Sequence, residues 1–489
     1  MKIVAALAWL AGLSLWASYT ARAEPLALKP CRIEHPSHLS AVDAECGRLA
    51  VRENPADPNS RPIQLNVARV RAVSQRKKPD PLFVLAGGPG MSATTFYTSV
   101  APAFARIRRD RDIVLVDQRG TGKSNGLQCD LDEDALLHAS DDKLIFATRH
   151  CLAEVSKHAD VRFYTTSVAV QDLDLVRAAL GYQQINLYGV SYGTRVAQHY
   201  VRRYPDRSRA VILDGVVPPE VALGPTIALD AETALVGVLD RCKRDAVCAA
   251  KFGDLTQSYA VLRKKLLNST VILSLPDPTT GESVKVDFSS EHLVTVLRLG
   301  SYTSEQASLL PLSLDMASRE GNFALLASQY LIVSKAYDEA VAFGMHNSVV
   351  CAEDVPYYDT AHIDRAALDR TFLGSGQVDS LIALCKVWPH GPIDSDFHAP
   401  LSSNVPALLM SGGNDPVTPV RFGKQAATGF KRGVHLVLAG LGHGQLTAPC
   451  VDRLMSQFVE RADARSLDVS CTRAVKPMPF FTTLAGPTP

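Results

Sequence analysis

Ile185-Asn186-Leu187-Tyr188-Gly189-Val190-Ser191-Tyr192-Gly193 is the stretch on which the reading of this chain turns. The residues up to Tyr188 read as the end of a buried strand. From Thr194 to Tyr204, residues Val196, Ala197, Tyr200, Val201 and Tyr204 recur at helical spacing, and Pro205 stops the run. A Gly-x-Ser-x-Gly at a strand-to-helix turn is a nucleophile elbow. Its glycines let the backbone turn tightly enough to lift the serine hydroxyl above the sheet, at a helix N-terminus. Five-residue matches arise by chance, so the reading needs a base, an acid and an oxyanion hole elsewhere, in the right chain order.

Working outward, other short apolar runs repeat the pattern. Pro81 to Ala86 ends in Gly87-Gly88-Pro89-Gly90, Asp112 to Asp117 ends in Gln118-Arg119-Gly120-Thr121-Gly122, and Ala210 to Leu213 ends in Asp214-Gly215. Val405 to Met410 and Val434 to Leu438 complete the set. Such runs, alternating with helical segments, predict an α/β protein whose mostly parallel central sheet is buried on both faces. Function in such sheets gathers beyond the carboxyl ends of the strands. Residues 31–73 read as short strands with turns, and Ile63 to Val70 largely alternates like a half-solvated antiparallel strand. Residues 220–400 break the pattern with amphipathic stretches such as Thr256 to Leu267 and Glu305 to Tyr330. A mainly helical cap inserted between two sheet strands is therefore expected. The organisation predicted is a leader at 1–23, a core at 24–219, the cap at 220–400, the rest of the core at 401–475 and a tail at 476–489, frayed from Thr482 onward.

Composition narrows the partners. With 51 basic and 50 acidic residues the formal net charge is +1, and no basic stripe interleaved with aromatics appears, which argues against nucleic acid. Lys2, the apolar run Ile3 to Trp16 and Ala21-Arg22-Ala23 read as a cleaved export signal. No later run reaches 18 apolar residues, so no integral membrane segment is expected after cleavage. Ten cysteines fit an oxidising compartment, periplasmic or extracellular. Pairing them as sequence neighbours would make five local loops, with Cys242 and Cys248 closing the shortest, but spacing alone does not determine connectivity. No Cys-x-x-Cys or Cys/His cluster has zinc spacing, and neither a metal nor another cofactor is expected. Nothing in the sequence specifies an oligomeric state.

A serine hydroxyl needs a base to take its proton, and a histidine base needs a carboxylate to hold its tautomer. After an elbow of this kind the partners follow in the order Ser, acid, His. Ser411-Gly412-Gly413-Asn414-Asp415-Pro416-Val417-Thr418-Pro419 puts Asp415 in a loop straight after one strand, and Gly440-Leu441-Gly442-His443-Gly444 puts His443 between glycines after the next. Ser191, Asp415 and His443 are the expected catalytic residues. His199, within the helix after the elbow, and His435, inside an apolar strand, suit packing instead. The oxyanion of an acyl-transfer intermediate needs backbone N–H donors. Tyr192, next after the nucleophile, supplies one; Gly88 supplies the other, since Pro89 has no N–H. Arg119 reads as a buried brace against carboxylates.

With these residues in place the chain resembles the α/β-hydrolase superfamily, and within it the exported prolyl and tripeptidyl aminopeptidase-like serine peptidases with a TAP-like C-terminal region. The resemblance rests on Gly87-Gly88-Pro89-Gly90, Asp117-Gln118-Arg119-Gly120-Thr121-Gly122-Lys123-Ser124, Gly189-Val190-Ser191-Tyr192-Gly193, Asp415 and Gly442-His443-Gly444, and spans roughly residues 60–460. Ala86 departs from it, because many members carry histidine before the glycines. The resemblance implies release of residues or short peptides from peptide N-termini, with cap carboxylates receiving the free amine. Val350-Cys351-Ala352-Glu353-Asp354-Val355-Pro356 supplies the candidates Glu353 and Asp354, with Glu353 as the expected anchor. A carboxylesterase or lactone hydrolase would use the same triad, and a non-enzymatic binding protein could use the same scaffold.

Overall fold

The computed structural model describes residues 25–38, 40–129, 141–278 and 280–487; the expected leader at 1–23 lies outside them. Among the described residues nine strands form one sheet: β1 (Lys29–Glu34), β2 (Ala41–Arg52), β3 (Pro62–Val70), β4 (Leu82–Leu85), β5 (Ile113–Val116), β6 (Ile185–Val190), β7 (Ser208–Asp214), β10 (Ala407–Gly412) and β11 (Gly433–Leu438). A separate hairpin joins β8 (Val271–Pro276) to β9 (Ser283–Phe288). The order in the sheet is β1-β2-β3-β5-β4-β6-β7-β10-β11. Pairing is antiparallel from β1 to β5 and parallel from β5 to β11.

The parallel part is buried on both sides, its edge strand β11 less so, because most positions of its strands are apolar and the pleat sends alternate residues to opposite faces. Phe83, Leu85, Val114, Leu187, Leu213 and Leu409 join the core on one face. Their neighbours Leu82, Val84, Ile113, Tyr188, Ile212 and Leu408 join the core on the other. Ile63 to Val70 is indeed antiparallel, but it lies inside the sheet between β2 and β5, so its outer face is more covered than its alternation suggests.

Between β7 and β10 the chain builds a third apolar cluster around Leu235, Phe252, Leu262, Phe288, Leu297, Leu310 and Phe323. Most of it is helical, yet β8 and β9 add a hairpin that helical periodicity does not anticipate. The stretch from Glu305 to Tyr330 is also not one helix. It runs as Ser304–Asp315, a widened turn Met316–Glu320, and Ala324–Ala340, interrupted where Gly321 takes a left-handed φ of 66°.

Residues 478–481, just before the stretch expected to fray, are tied to the insert. Met478 N donates to Ser304 Oγ at 3.3 Å, Phe481 N donates to Ser308 O at 3.0 Å, and Phe480 is buried with the Arg241 guanidinium 3.7 Å from its ring centroid. Residues 476–481 thus form a strap from the core onto the insert. Five disulfides pair the cysteines as sequence neighbours: Cys31–Cys46, Cys129–Cys151, Cys242–Cys248, Cys351–Cys385 and Cys450–Cys471. Among the described residues no helix is long and apolar enough to cross a membrane.

Arg119 is fully buried beyond β5. Its Nε and Nη2 donate to the two oxygens of Asp172 at 2.7 and 2.8 Å, and its Nη1 donates to the carbonyls of Glu53 and Phe163. Asp117 is equally enclosed, accepting from Asn66 Nδ2 and from Thr94 N and Oγ1. Removing one partner of a buried ion pair strands the other charge. Asp172→Ala is therefore expected to lower stability by about 3–5 kcal/mol, measured by urea unfolding with the disulfides intact.

Candidate active site

Ser191 follows β6 and precedes the helix Tyr192–Arg203 at φ 55° and ψ −125°, a left-handed backbone that a non-glycine residue adopts only where its surroundings impose it. Its N–H donates to Asp214 O on β7 at 2.9 Å, and its carbonyl accepts from Thr194 Oγ1 at 2.6 Å. The flanking glycines are required by space. A Cβ on Gly189 would stand 2.2 Å from Gly193 O, and one on Gly193 would stand 2.4 Å from Leu85 O.

Asp415 and His443 converge from the loops after β10 and β11. His443 Nδ1 lies 2.8 Å from Asp415 Oδ2, so Nδ1 carries the proton and Nε2 is left as the basic nitrogen. Asp415 is held in turn by Val417 N at 2.9 Å, Thr418 N at 2.8 Å and Thr418 Oγ1 at 2.7 Å. The Thr418 hydroxyl also sits 3.1 Å from His443 Nδ1.

Three further contacts locate the histidine, and sequence reasoning assigned none of them. Asp214, at the end of β7, accepts from Gln445 N with both oxygens, at 2.8 and 2.9 Å, and from Tyr188 Oη at 2.9 Å. His443 N donates to Tyr302 O at 2.6 Å, and the Tyr302 ring meets the imidazole edge-on at 5.2 Å between centroids. Gly215 leaves room for the ring, since a Cβ there would be 3.0 Å from His443 Cε1. Asp214 and Thr418 stand in the strand-end and loop motifs themselves, but the Tyr302 contact has no local signal in the sequence.

These surroundings set the protonation of the site. Burial alone would lower the His443 pKa, but the charges of Asp415 and Asp214 outweigh it and raise the imidazole above its ordinary 6.5. Burial pushes Asp214 itself up to about 6, against the hydrogen bonds that favour its charged form.

Ser191, His443, Gly87 and Gly88 line one cavity of about 1100 Å³. Gly87 abuts the serine, where a Cβ would come 3.1 Å from Ser191 Cβ, and Gly88 turns the loop at φ 104°. Tyr192 is the first residue of its helix, where N–H groups have no intrahelical acceptor. The insert roofs the cavity with Leu299, Tyr302, Ile332, Val333 and Tyr337, and Ala474 to Pro479, which lead into and begin the strap, line another part of it.

The carboxylates at 353 and 354 part company. Glu353 has no exposed surface and does not line the cavity: it accepts from Thr166 N at 2.6 Å and Thr166 Oγ1 at 2.8 Å, and that hydroxyl lies 2.6 Å from Tyr192 Oη. Burial pushes its pKa up to about 7, although Arg195 and Thr166 favour the ion. Asp354 does reach the cavity wall, with its oxygens 2.8 and 3.1 Å from Arg195 Nη2 and Nη1 and Leu223 N donating at 2.7 Å. Of the other histidines, His199 Nε2 is 2.7 Å from Asp394 Oδ2 and His435 Nε2 is 2.9 Å from Ser411 Oγ.

Comparison with known proteins agrees with this architecture. Residues 80–246 match a family model described as alpha/beta hydrolase fold, and residues 370–471 match one described as TAP-like protein. Serine protease Hip1 of Mycobacterium tuberculosis is 25% identical over 473 residues, covering 89% of each chain. Tripeptidyl aminopeptidase of Streptomyces coelicolor is 32% identical over 193 residues, 36% of this chain and 35% of its own. Carboxylesterase B of Mycobacterium tuberculosis is 27% identical over 421 residues, 78% of each. An elbow serine, an Asp–His pair beyond successive strand ends and both family matches lead to one assignment: the chain is a serine hydrolase of the α/β-hydrolase fold, with a TAP-like C-terminal region.

Proposed function

We propose that this protein is an exported serine aminopeptidase that releases residues or short peptides from peptide N-termini through an acyl-enzyme. The observation that carries the reading is that Ser191 and His443 line one cavity roofed by the insert, with Asp415 2.8 Å from His443 Nδ1. A roof over the serine favours chain ends and small molecules over the middle of a folded polypeptide. The five disulfides support an oxidising compartment, periplasmic or extracellular.

In the proposed mechanism His443 Nε2 takes the proton from Ser191 Oγ as the oxygen attacks the scissile carbonyl. Asp415 stabilises the imidazolium through Nδ1–H. The N–H groups of Gly88 and Tyr192 receive the oxyanion. The tetrahedral intermediate collapses as His443 returns the proton to the leaving amine, and water, activated by the same nitrogen, hydrolyses the ester. Asp354, on the cavity wall, is the better placed of the two cap carboxylates to receive the substrate's free amine. Glu353 acts behind it, through Thr166 and the Arg195 ion pair. A carboxylesterase is the second reading, favoured by the likeness to Carboxylesterase B along most of both chains.

Ser191→Ala is expected to abolish turnover and labelling by a fluorophosphonate probe while leaving the melting profile intact; retained turnover refutes the scheme. Asp354→Asn is expected to raise KM for free-amine peptides by tenfold or so, as loss of a charge-assisted hydrogen bond should, and to affect their N-acetylated counterparts less. Equal losses on both would remove Asp354 from amine recognition.

A protonated His443 cannot accept the serine proton, so kcat/KM on a neutral aryl ester rises with pH through the histidine pKa, which lies above 6.5. Asp214→Asn withdraws one of the two charges that raise it, and the acidic limb should move to lower pH. An unmoved limb would show that Asp214 is electrostatically silent.

A further inference from the structure

Arg298 is a cation of the cavity wall that the triad does not use. It projects from the helix Ser290–Gly300, whose start is fixed by a reciprocal cap between Ser289 and His292 and whose end packs Gly300 against Leu310. Across the cavity roof Gln377, near the start of the helix Gly376–Cys385, presents its side-chain oxygen to Arg298. In the orientation that satisfies both groups it accepts from Nη2 at 3.0 Å and Nη1 at 3.1 Å. Among the described residues no carboxylate lies within ion-pair distance of this guanidinium, and its Nε is buried without an acceptor.

The acidic groups around the cavity are otherwise committed. Asp354 is matched by Arg195, Asp214 by Gln445 N and Tyr188, and Asp415 by His443 and Thr418. Glu305 stands exposed where the cavity opens. A half-buried guanidinium without an anionic partner therefore lines a cavity whose wall also includes Leu299, Val333, Leu381 and Ala336. A planar cation in a cavity wall, tied only to neutral groups, is a receptor for a carboxylate.

Its place along the chain sets the reach. Tyr302, whose ring meets His443 edge-on, lies four residues beyond Arg298, just past the end of its helix. Both Tyr302 and His346 register its charge; burial is the larger influence on each, and Arg298 is the cationic neighbour. His346 in turn lies 3.4 Å from Pro89 O, in the loop that carries Gly88. Arg298 thus lies in the wall of the cavity that holds the imidazole and the oxyanion loop, as a neighbour of Tyr302 and His346, the residues that contact them.

We propose that Arg298 is a specificity-determining residue that binds a substrate carboxylate, so that the favoured substrates are short peptides bearing an acidic side chain or a free C-terminal carboxylate close to the scissile bond. The substrate class rests on the aminopeptidase reading; the carboxylate preference itself does not. A short peptide would then be held by opposite charges at its two ends, its amine at Asp354 and its carboxylate at Arg298.

The test measures kcat/KM for matched pairs with the wild type, Arg298→Gln and Arg298→Lys. One peptide pair differs as Glu against Gln, a second as C-terminal acid against C-terminal amide, and an ester pair sets 4-nitrophenyl hydrogen succinate against its methyl ester. The wild type should favour the carboxylate member of at least one pair by about tenfold or more, as a charge-assisted hydrogen bond implies. Arg298→Gln should bring that ratio close to one, mainly through KM, and Arg298→Lys should restore part of it. The peptide pair that responds identifies the source of the carboxylate. A purely structural tie to Gln377 would instead depress both members of each pair alike. Esters cleaved without peptides would count against the aminopeptidase reading and leave the Arg298 assignment to the ester pair. No carboxylate preference in any pair, or a preference that survives Arg298→Gln, overturns the proposal.

Discussion

Ser191 can hold a left-handed backbone at φ 55° because the residues two before and two after it have no side chain. Such a conformation costs about 1–3 kcal/mol and persists only where the surroundings over-determine it. Here they do. Gly193 presses its Cα against the carbonyls of Leu85 and Ala86 at the end of β4, and Gly189 presses against Gly193 itself. The helix N-terminus is thereby driven onto two fully buried strands. The strained turn is a product of sheet packing, and the sheet end becomes the site because that turn sits on it. Ser191 N then reaches Asp214 O, and the Asp214 side chain reaches Gln445, so the serine and the histidine loop share one residue of β7.

The second organising contact joins the insert to the base. Gly442 has no room for a Cβ because Tyr302 O would lie 2.2 Å from it, and the same carbonyl accepts the His443 N–H. On the other side, Glu353 and Asp354 close the helix Phe343–Glu353 against Thr166 and Arg195, and Arg195 belongs to the elbow helix. The insert therefore touches the residues that flank both Ser191 and His443. Any displacement of its lower helices would move the imidazole or the elbow helix, which couples what the cavity holds to the geometry of the reacting groups.

What could be read in the chain follows from the range of the physics involved. Apolar runs of four to six residues, glycines at a forced turn and an aspartate just beyond a strand are local signals, and the strands, the elbow and the Asp415–His443 pair were legible through them. Neighbour pairing of the cysteines is local too. The contacts that were not legible join distant segments: Asp214 to Gln445 across 231 residues, Tyr302 to His443, and the strap from Met478 to Ser304. The hairpin of β8 and β9 is an intermediate case. Its period-two burial, with Leu275, Val286 and Phe288 inward, is present in the sequence but short enough to be lost among helices. Glu353 and Asp354 illustrate the same limit within two adjacent residues. At the end of one helix they point to different sides, and no pattern of residue types distinguishes the buried carboxylate from the one on the cavity wall.

That division has an electrostatic consequence. Arg195 is shared by two carboxylates, lying 2.8 Å from Asp354 and 3.8 Å from Glu353. Two anions and one cation in a buried cluster would leave an uncompensated charge, and burial resists it by pushing the Glu353 pKa from 4.5 to about 7. With Glu353 protonated the cluster is neutral, and the carboxyl of Glu353 stays held by Thr166. Between 4.5 and about 7 the unfolded chain releases this proton while the folded chain keeps it, so over that window Glu353 weakens folding as pH rises. Once Glu353 ionises, the cluster behind the cavity wall turns negative, and the field at Asp354 becomes more attractive to an ammonium group. A fully buried carboxylate thus sets the charge of the cluster behind the cavity wall.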